Sequence, residues 1–241
     1  MARQLDLLGD VVPDDRAIQV DGNYYVKLVG ASVPTGGHVL DVGCGTGRSE
    51  RVVRSLDREL VWTGVDIVSS PAVDRRKPGS KRRLVAFDGI ELPFADSAFD
   101  LIYSNQVLEH VRHPEHLLRE IRRVLKPGAA FVGGTSNLEP YHALSYWNFT
   151  PFGFKTIVQD AGLQLVEMRP GIDGPTLIER QVRGRPDELN RFFTETSPLN
   201  ERIIGSKRHR RGAIRQKNDR MLQFCGHFGF HVVRPNIEES T

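Results

Sequence analysis

Residues 38–47 read HVLDVGCGTG, a short apolar run that passes straight into three glycines at alternate positions. An apolar run without polar alternation marks a strand covered on both faces, as in the parallel sheets of α/β proteins. The glycines call for a backbone that turns sharply. Lacking Cβ atoms, they also leave main-chain N–H groups open to a ligand. A helical pattern over 46–56 follows. Strand, glycine turn and helix in that order open a doubly wound α/β unit, and few other folds accommodate the sequence.

The same alternation continues along the chain. Strand-like runs fall at 61–65, 84–87, 99–103, 130–133, 164–168 and 231–234, and helical patterns at 23–33, 114–125 and 152–161. The 114–125 pattern puts Leu117, Leu118, Ile121, Val124 and Leu125 on one stripe, opens on Pro114 and stops at Lys126-Pro127-Gly128. These elements predict a mostly parallel sheet with helices on both faces. Residues 1–22 read as irregular, and 70–82, rich in Pro, Arg and Lys, as a loop or ragged helix. The stretch 171–226 interrupts the alternation and reads as a partly helical insertion. The expected organisation is one domain: a cap over 1–34, a core over 35–170, an insertion or lid over 171–227, and a last strand and tail over 228–241.

Composition narrows the setting. At 241 residues, 39% hydrophobic and 26% charged, the chain suits one α/β domain with a full core. No stretch approaches the ~18 apolar residues of a membrane span, and the N-terminal MARQLDLLGDVVPDD lacks the apolar centre of a signal peptide. A cytoplasmic protein without a membrane partner is expected. Cys44 and Cys225 are too few for a disulfide framework and read as free thiols. The net charge is +3, and much of the basic excess sits in KRHRRGAIRQK at 207–217. That stretch reads either as a solvated face or as an attractor of an anionic substrate, and the modest overall charge argues against a nucleic-acid partner. A homodimer is left open.

The glycine loop is G-x-G-x-G with Asp41 two residues before it, whereas a dinucleotide fingerprint reads G-x-G-x-x-G. The shorter spacing suits a ligand with no pyrophosphate to cradle. Asp66, with Ile67 beside it, closes the second strand, where a carboxylate can accept hydrogen bonds from both ribose hydroxyls. Asp88-Gly89-Ile90 follows the third strand, where an acid can accept from an adenine amino group while Ile90 packs on the ring.

Together with FDLIYSNQVLEHV at 99–111 and LLREIRRVLKPGA at 117–129, these residues resemble the class I S-adenosylmethionine (SAM)-dependent methyltransferases over about residues 35–170. The resemblance implies a seven-stranded sheet of order 3-2-1-4-5-7-6 with the seventh strand antiparallel. It implies SAM as cofactor, with its methionine part on Gly43, Gly45 and Gly47, its ribose on Asp66 and Ile67, and its adenine on Asp88, Gly89 and Ile90. Asp41 and Asn105 complete the expected cofactor site.

On the acceptor side, Gln106-x-x-Glu109-His110 is followed by Thr135-Ser136-Asn137 and Tyr141-His142. This resembles a metal-assisted subgroup seen among small-RNA 3′-terminal 2′-O-methyltransferases and ubiquinone-pathway O-methyltransferases. Its pattern is Glu-x-x-Glu-His with a further His beyond the fifth strand. Gln106 stands in place of the first Glu, which lowers the charge of the site. The resemblance implies that Glu109, His110 and His142 hold Mg²⁺ or another divalent cation, which orients two neighbouring hydroxyls and acidifies one. In metal-independent relatives Leu-Glu-His-Val only shapes the pocket. Without a metal, His142 or His110 is the expected general base. The aromatic segment YHALSYWNFTPFGF at 141–154 offers platforms for sugar rings, with Gln106, Tyr141, Tyr146 and Trp147 expected on the substrate side. At least half of its six aromatic rings are expected to fill the core. His113 and His116 read as surface residues.

The expected activity is O-methylation of a carbohydrate or glycosylated metabolite, a small-molecule or oligosaccharide acceptor. The alternatives are methylation of an RNA 3′ end, which a steep salt dependence would mark, and another small-molecule C- or N-methyltransferase. A non-enzymatic SAM-binding regulator is the third, and absence of SAM binding would favour it.

Overall fold

The computed structural model describes residues 3–68, 83–142, 144–207 and 212–236. The expected loop at 70–82 and the middle of the basic stretch, 208–211, lie outside the described residues.

Seven strands form one sheet: β1 (His38–Val42), β2 (Val61–Ile67), β3 (Leu84–Phe87), β4 (Phe99–Asn105), β5 (Leu125–Ser136), β6 (Gln164–Pro170) and β7 (His227–Val233). Their order is β3-β2-β1-β4-β5-β7-β6, as the family resemblance implied. β1 to β5 pair in parallel, and β7 runs antiparallel to both β5 and β6. Neighbouring residues of each central strand face opposite sides. Leu40, Ile102 and Phe131 join one apolar cluster, and Val39, Leu101 and Val132 join another on the opposite face. Helix α1 (Gln4–Leu8), α4 (Pro114–Val124) and α5 (Pro151–Asp160) cover the first face. Helices α2 (Tyr24–Gly30) and α3 (Glu50–Leu56) cover the second. The stripe on α4 is buried as its periodicity predicts.

Four expectations are corrected. Residues 1–22 are not all irregular: α1 and a 3-10 turn over Gly9–Val11 lead Leu8 and Val12 into the core. A five-residue helix is too short to show a period. The helix expected over 46–56 begins only at Glu50, because Gly43, Gly45 and Gly47 all adopt left-handed φ values (+73°, +53° and +76°) and the loop turns on through 46–49. β5 starts at Leu125 rather than at 130, since the chain leaves α4 already extended and Leu125 pairs with Phe99. β7 starts at His227 rather than at 231.

Between β6 and β7 lie α6 (Gly174–Val182), α7 (Asp187–Asn190), α8 (Pro198–Ile204) and α9 (Ala213–Phe224). Ile172, Leu177, Leu189 and Phe192 form a small apolar cluster of their own. Asp173 caps α6 by accepting from the Thr176 N–H at 2.7 Å and bridges to Cys225, while the Gly226 N–H donates to the Ile172 carbonyl at 2.7 Å. Among the described residues no helix is long and apolar enough to cross a membrane. Cys44 and Cys225 are buried free thiols.

Candidate active site

The end of β1 and the loop after it are tied to β2. The N–H groups of Gly43 and Cys44 both donate to the Val65 carbonyl, at 2.8 and 3.1 Å. The loop is pressed against the segment following β4: a Cβ on Gly43 would lie 2.3 Å from Val107 Cγ2. Asp66 accepts from the Gly45 N–H through Oδ2 and from the Ile67 N–H through Oδ1, both at 2.8 Å. The carboxylate is thereby aimed at the loop. Asp41 is buried and takes a hydrogen bond from the Ser49 hydroxyl. Burial, joined by the charge of Asp66, pushes its carboxyl up to about 7 against that hydrogen bond.

Asp88 closes a turn. Its Oδ1 accepts from the N–H groups of Ile90 and Glu91 at 2.8 and 2.9 Å, and these bonds hold the exposed carboxyl below the usual range. Gly89 has φ +87° and Ile90 is half exposed. Asn105 lies in a slot between two glycines: a Cβ on Gly22 would sit 2.5 Å from its Oδ1, and one on Gly134 at 2.9 Å.

The acceptor side gathers at the ends of β4 and β5. Gln106 has φ +56°, a conformation that a non-glycine residue holds only when its surroundings impose it, and its N–H donates to the Gly134 carbonyl at 2.9 Å. A 3-10 turn over Leu108–His110 then brings in Glu109, which is fully buried, and His110. The Thr135 hydroxyl donates to Glu109 Oε2 at 2.9 Å. Ser136 Oγ lies 3.2 Å from Glu109 Oε1, 3.0 Å from Gln106 Oε1, and closest of all to Glu139 Oε2. One hydroxyl proton thus faces three acceptor oxygens.

His110 and His142 approach each other Nε2 to Nε2 at 3.1 Å, and His110 Nδ1 is buried with no partner among the described residues. One ligand atom from each of Glu109, His110 and His142 lies within 4.8 Å of the others. Sequence reasoning missed two residues beside this trio. Glu139 Oε2 is 3.6 Å from His142 Nδ1 and 2.9 Å from His227 Nε2. Burial opposes the charge on Glu139, but His227, Ser136 and His142 outweigh it and hold the carboxyl below its usual range. Glu139 carried a signal, its spacing of three from His142. His227 carried none, because only the β5–β7 register brings it here.

A cavity of about 300 Å³ opens at this edge of the sheet, lined by Asn105, Gln106, Gly134, Phe193 and His227 among others. A smaller one of about 150 Å³ lies between Glu139 and His142 on one side and Arg180, Gln181 and Arg185 of the segment after β6 on the other. In the aromatic segment Tyr141, Tyr146, Trp147 and Phe152 are exposed, and only Phe149 and Phe154 are buried. The expectation that at least half would fill the core is therefore corrected. The cause is that the main chain of this segment straps over the 3-10 turn. The Tyr146 and Trp147 N–H groups donate to the Glu109 carbonyl at 2.7 and 3.1 Å, and Trp147 Nε1 donates to the Val111 carbonyl at 2.9 Å. His113 and His116 are exposed beside Glu115. In the described part of the basic stretch, Arg215 pairs with Asp10 and Asp14 and Lys217 donates to the Ile204 carbonyl, so both bind their own chain.

Comparison with known proteins finds matches to methyltransferases in sequence over part of the chain and in fold over most of it. Residues 40–133 match the family described as "Methyltransferase domain". The sterol 24-C-methyltransferase of Gibberella zeae is 36% identical over 123 residues, covering 48% of this chain and 32% of that protein. An O-methyltransferase of Penicillium expansum is 33% identical over 122 residues, covering 47% of this chain and 44% of that protein. The chain thus spans less than half the length of these two relatives. The SAM complex of Haemonchus contortus phosphoethanolamine N-methyltransferase 2 superposes with a TM-score of 0.55 at 20% identity, over 96% of this chain and 56% of that one. Those three proteins are named for carbon, oxygen and nitrogen acceptors, so the shared fold leaves the acceptor atom open. Strand order and glycine loop are those that the resemblance to class I, SAM-dependent methyltransferases implies, and residues 40–133 match a methyltransferase domain.

Proposed function

We propose that the protein is a SAM-dependent O-methyltransferase acting on a hydroxyl of a carbohydrate or glycosylated small molecule, assisted by a divalent cation on Glu109, His110 and His142. SAM, when bound, supplies an electrophilic methyl group on a sulfonium. Three left-handed glycines keep the loop clear of side chains where its methionine part would lie, Asp66 sets its carboxylate against that loop for the ribose, and Ile67 and Ile90 offer exposed apolar faces to the adenine. The protein's remaining task is to orient the acceptor oxygen and remove its proton.

The observation that carries the metal reading is the convergence of Glu109, His110 and His142, one ligand atom of each lying within 4.8 Å of the others. Oxygen with imidazole suits Mg²⁺, Mn²⁺ or Zn²⁺. The 3.1 Å between the two Nε2 atoms is also the separation that two ligands, each about 2.1 Å from one ion, subtend. The exposed rings of Tyr141, Tyr146 and Trp147 support a sugar acceptor.

The test is a panel of methyl glycosides and polyols, each with a matched deoxy analogue, incubated with methyl-labelled SAM. Label should enter a hydroxyl flanked by a second one, stop on EDTA treatment and return with Mg²⁺, Mn²⁺ or Zn²⁺. Transfer undiminished by EDTA would remove the metal from the reading. Label found only on carbon or nitrogen acceptors would remove the hydroxyl.

A further inference from the structure

The trio of Glu109, His110 and His142 does not line the larger cavity among the described residues, but a different histidine does. His227 opens β7, and the register sets it opposite Ser136 at the end of β5. Its Nε2 lies 2.9 Å from Glu139 Oε2, and its ring lies nearly parallel to Phe193, with centroids 5.8 Å apart at 27°. Its Nδ1 has no hydrogen-bond partner among the described residues. A carboxylate accepting at Nε2 fixes the ring hydrogen there, so Nδ1 is left as the accepting nitrogen. By contrast, His110 and His142 turn their Nε2 atoms on each other.

We propose that the 300 Å³ cavity is the acceptor site, that His227 receives the acceptor's hydroxyl proton there, and that Glu139 is its positioning carboxylate. The proposal rests on the reading of the protein as an O-methyltransferase and not on the cation, whose three residues do not line this cavity among the described residues. In the step, the acceptor O–H bond breaks, the oxygen uses its electron pair to bond the methyl carbon of SAM, and the S–CH₃ bond breaks with its pair staying on the sulfur of the departing S-adenosylhomocysteine. The proton goes to Nδ1, and the imidazolium is held against Glu139 until it loses that proton to solvent. The charged or titratable groups around His227 among the described residues are Glu139, His142 beyond it, Arg180 over the Phe193 ring, and Asp21 in the cavity wall. Asp21, Asn23, Asn105, Gln106 and Thr194 give that wall hydrogen-bonding groups, with no lysine or arginine among the lining residues. The acceptor class that fits is a neutral polyhydroxylated molecule rather than a phosphorylated or carboxylated one.

Two measurements on the full chain test this. With ¹⁵N-labelled histidine and bound S-adenosylhomocysteine, NMR should show His227 protonated at Nε2 and bare at Nδ1, with that preference lost in Glu139→Gln. In turnover, using the best methyl glycoside of the panel, His227→Gln should lower kcat by about 10²-fold or more. S-adenosylhomocysteine affinity should be unchanged, and Glu139→Gln should lower kcat with little change in KM. A 6-phosphate on the same glycoside should raise KM. A bare Nε2, or His227→Gln within about threefold of the parent kcat, overturns the proposal alone. Failure of the parent enzyme to methylate any hydroxyl of the panel overturns the underlying reading and this proposal with it.

Discussion

Asp41 makes stability depend on pH in the direction opposite to a typical salt-bridged acid. In the folded chain its carboxyl titrates at about 7, against 3.8 without its surroundings, chiefly because it is buried. Between those values the unfolded chain has released the proton that the folded chain still holds, so unfolding becomes easier as the pH rises. Each unit of pKa difference corresponds to about 1.4 kcal/mol, and an interval of about three units amounts to about 4 kcal/mol. The contribution is intact below about pH 4 and gone above about pH 7, with about 3 kcal/mol of the loss falling between pH 5 and pH 8. Glu139, whose carboxyl is held below its usual range, acts the other way and weakens the fold only as the pH falls into the acid range. Asp41→Asn keeps the shape and an acceptor oxygen for Ser49 but abolishes the ionisation. Urea unfolding followed by far-UV circular dichroism at pH 5 and pH 8 gives the free energies for both proteins. The parent should lose about 3 kcal/mol more than the variant over that interval. Equal losses would refute the argument, as would a variant less stable than the parent at pH 8.

Gly43→Ala should destabilise by about 2–5 kcal/mol, combining a left-handed φ with a Cβ driven into Val107. Adding Val107→Ala should recover the packing part and leave the backbone part, and a single variant within about 1 kcal/mol of the parent in urea would contradict this. Arg169 is buried, with Asp15 at 2.6 Å and Glu167 at 2.7 Å. Arg169→Ala should cost about 3–5 kcal/mol by leaving Glu167 and its partner Tyr25 without the guanidinium, and a change under about 1 kcal/mol by denaturant titration would count against it.

The donor half of the site was legible because it is local. β1, its glycines and Asp41 lie within one stretch of ten residues, and Asp66 and Asp88 each close a strand whose apolar run is visible. The boundaries of β1 and β3 fell where the pattern placed them. β7 was cut short in the reading because Gly226 and Gly229 break its apolar run. Gly229 is there because Tyr25 packs over it, where a Cβ would meet the ring at 3.1 Å. The acceptor half depends on residues far apart in the chain. Glu109, Ser136 with Glu139, and His227 come from three separate segments, and His227 meets Glu139 only once β5 and β7 are paired.

β6 and β7 are antiparallel neighbours, registered from Gln164 opposite Val233 to Pro170 opposite Phe228. Seen this way, residues 171–226 are the overgrown loop of a single β-hairpin, leaving and returning through one narrow foot at Ile172, Asp173, Cys225 and Gly226. The free energy of closing such a loop grows only with the logarithm of its length, so helices α6 to α8 can vary in length at small entropic cost, whereas α9 sets Leu222 into the main core. Phe193 and Arg180 belong to that loop and His227 stands at its foot, whereas the glycine turn, Asp66 and Asp88 follow β1, β2 and β3 on the other side of β4. On the proposed function, choice of acceptor and grip on the donor are mechanically separable, and grafting another hairpin loop onto the same foot would redirect the enzyme without rebuilding its cofactor site.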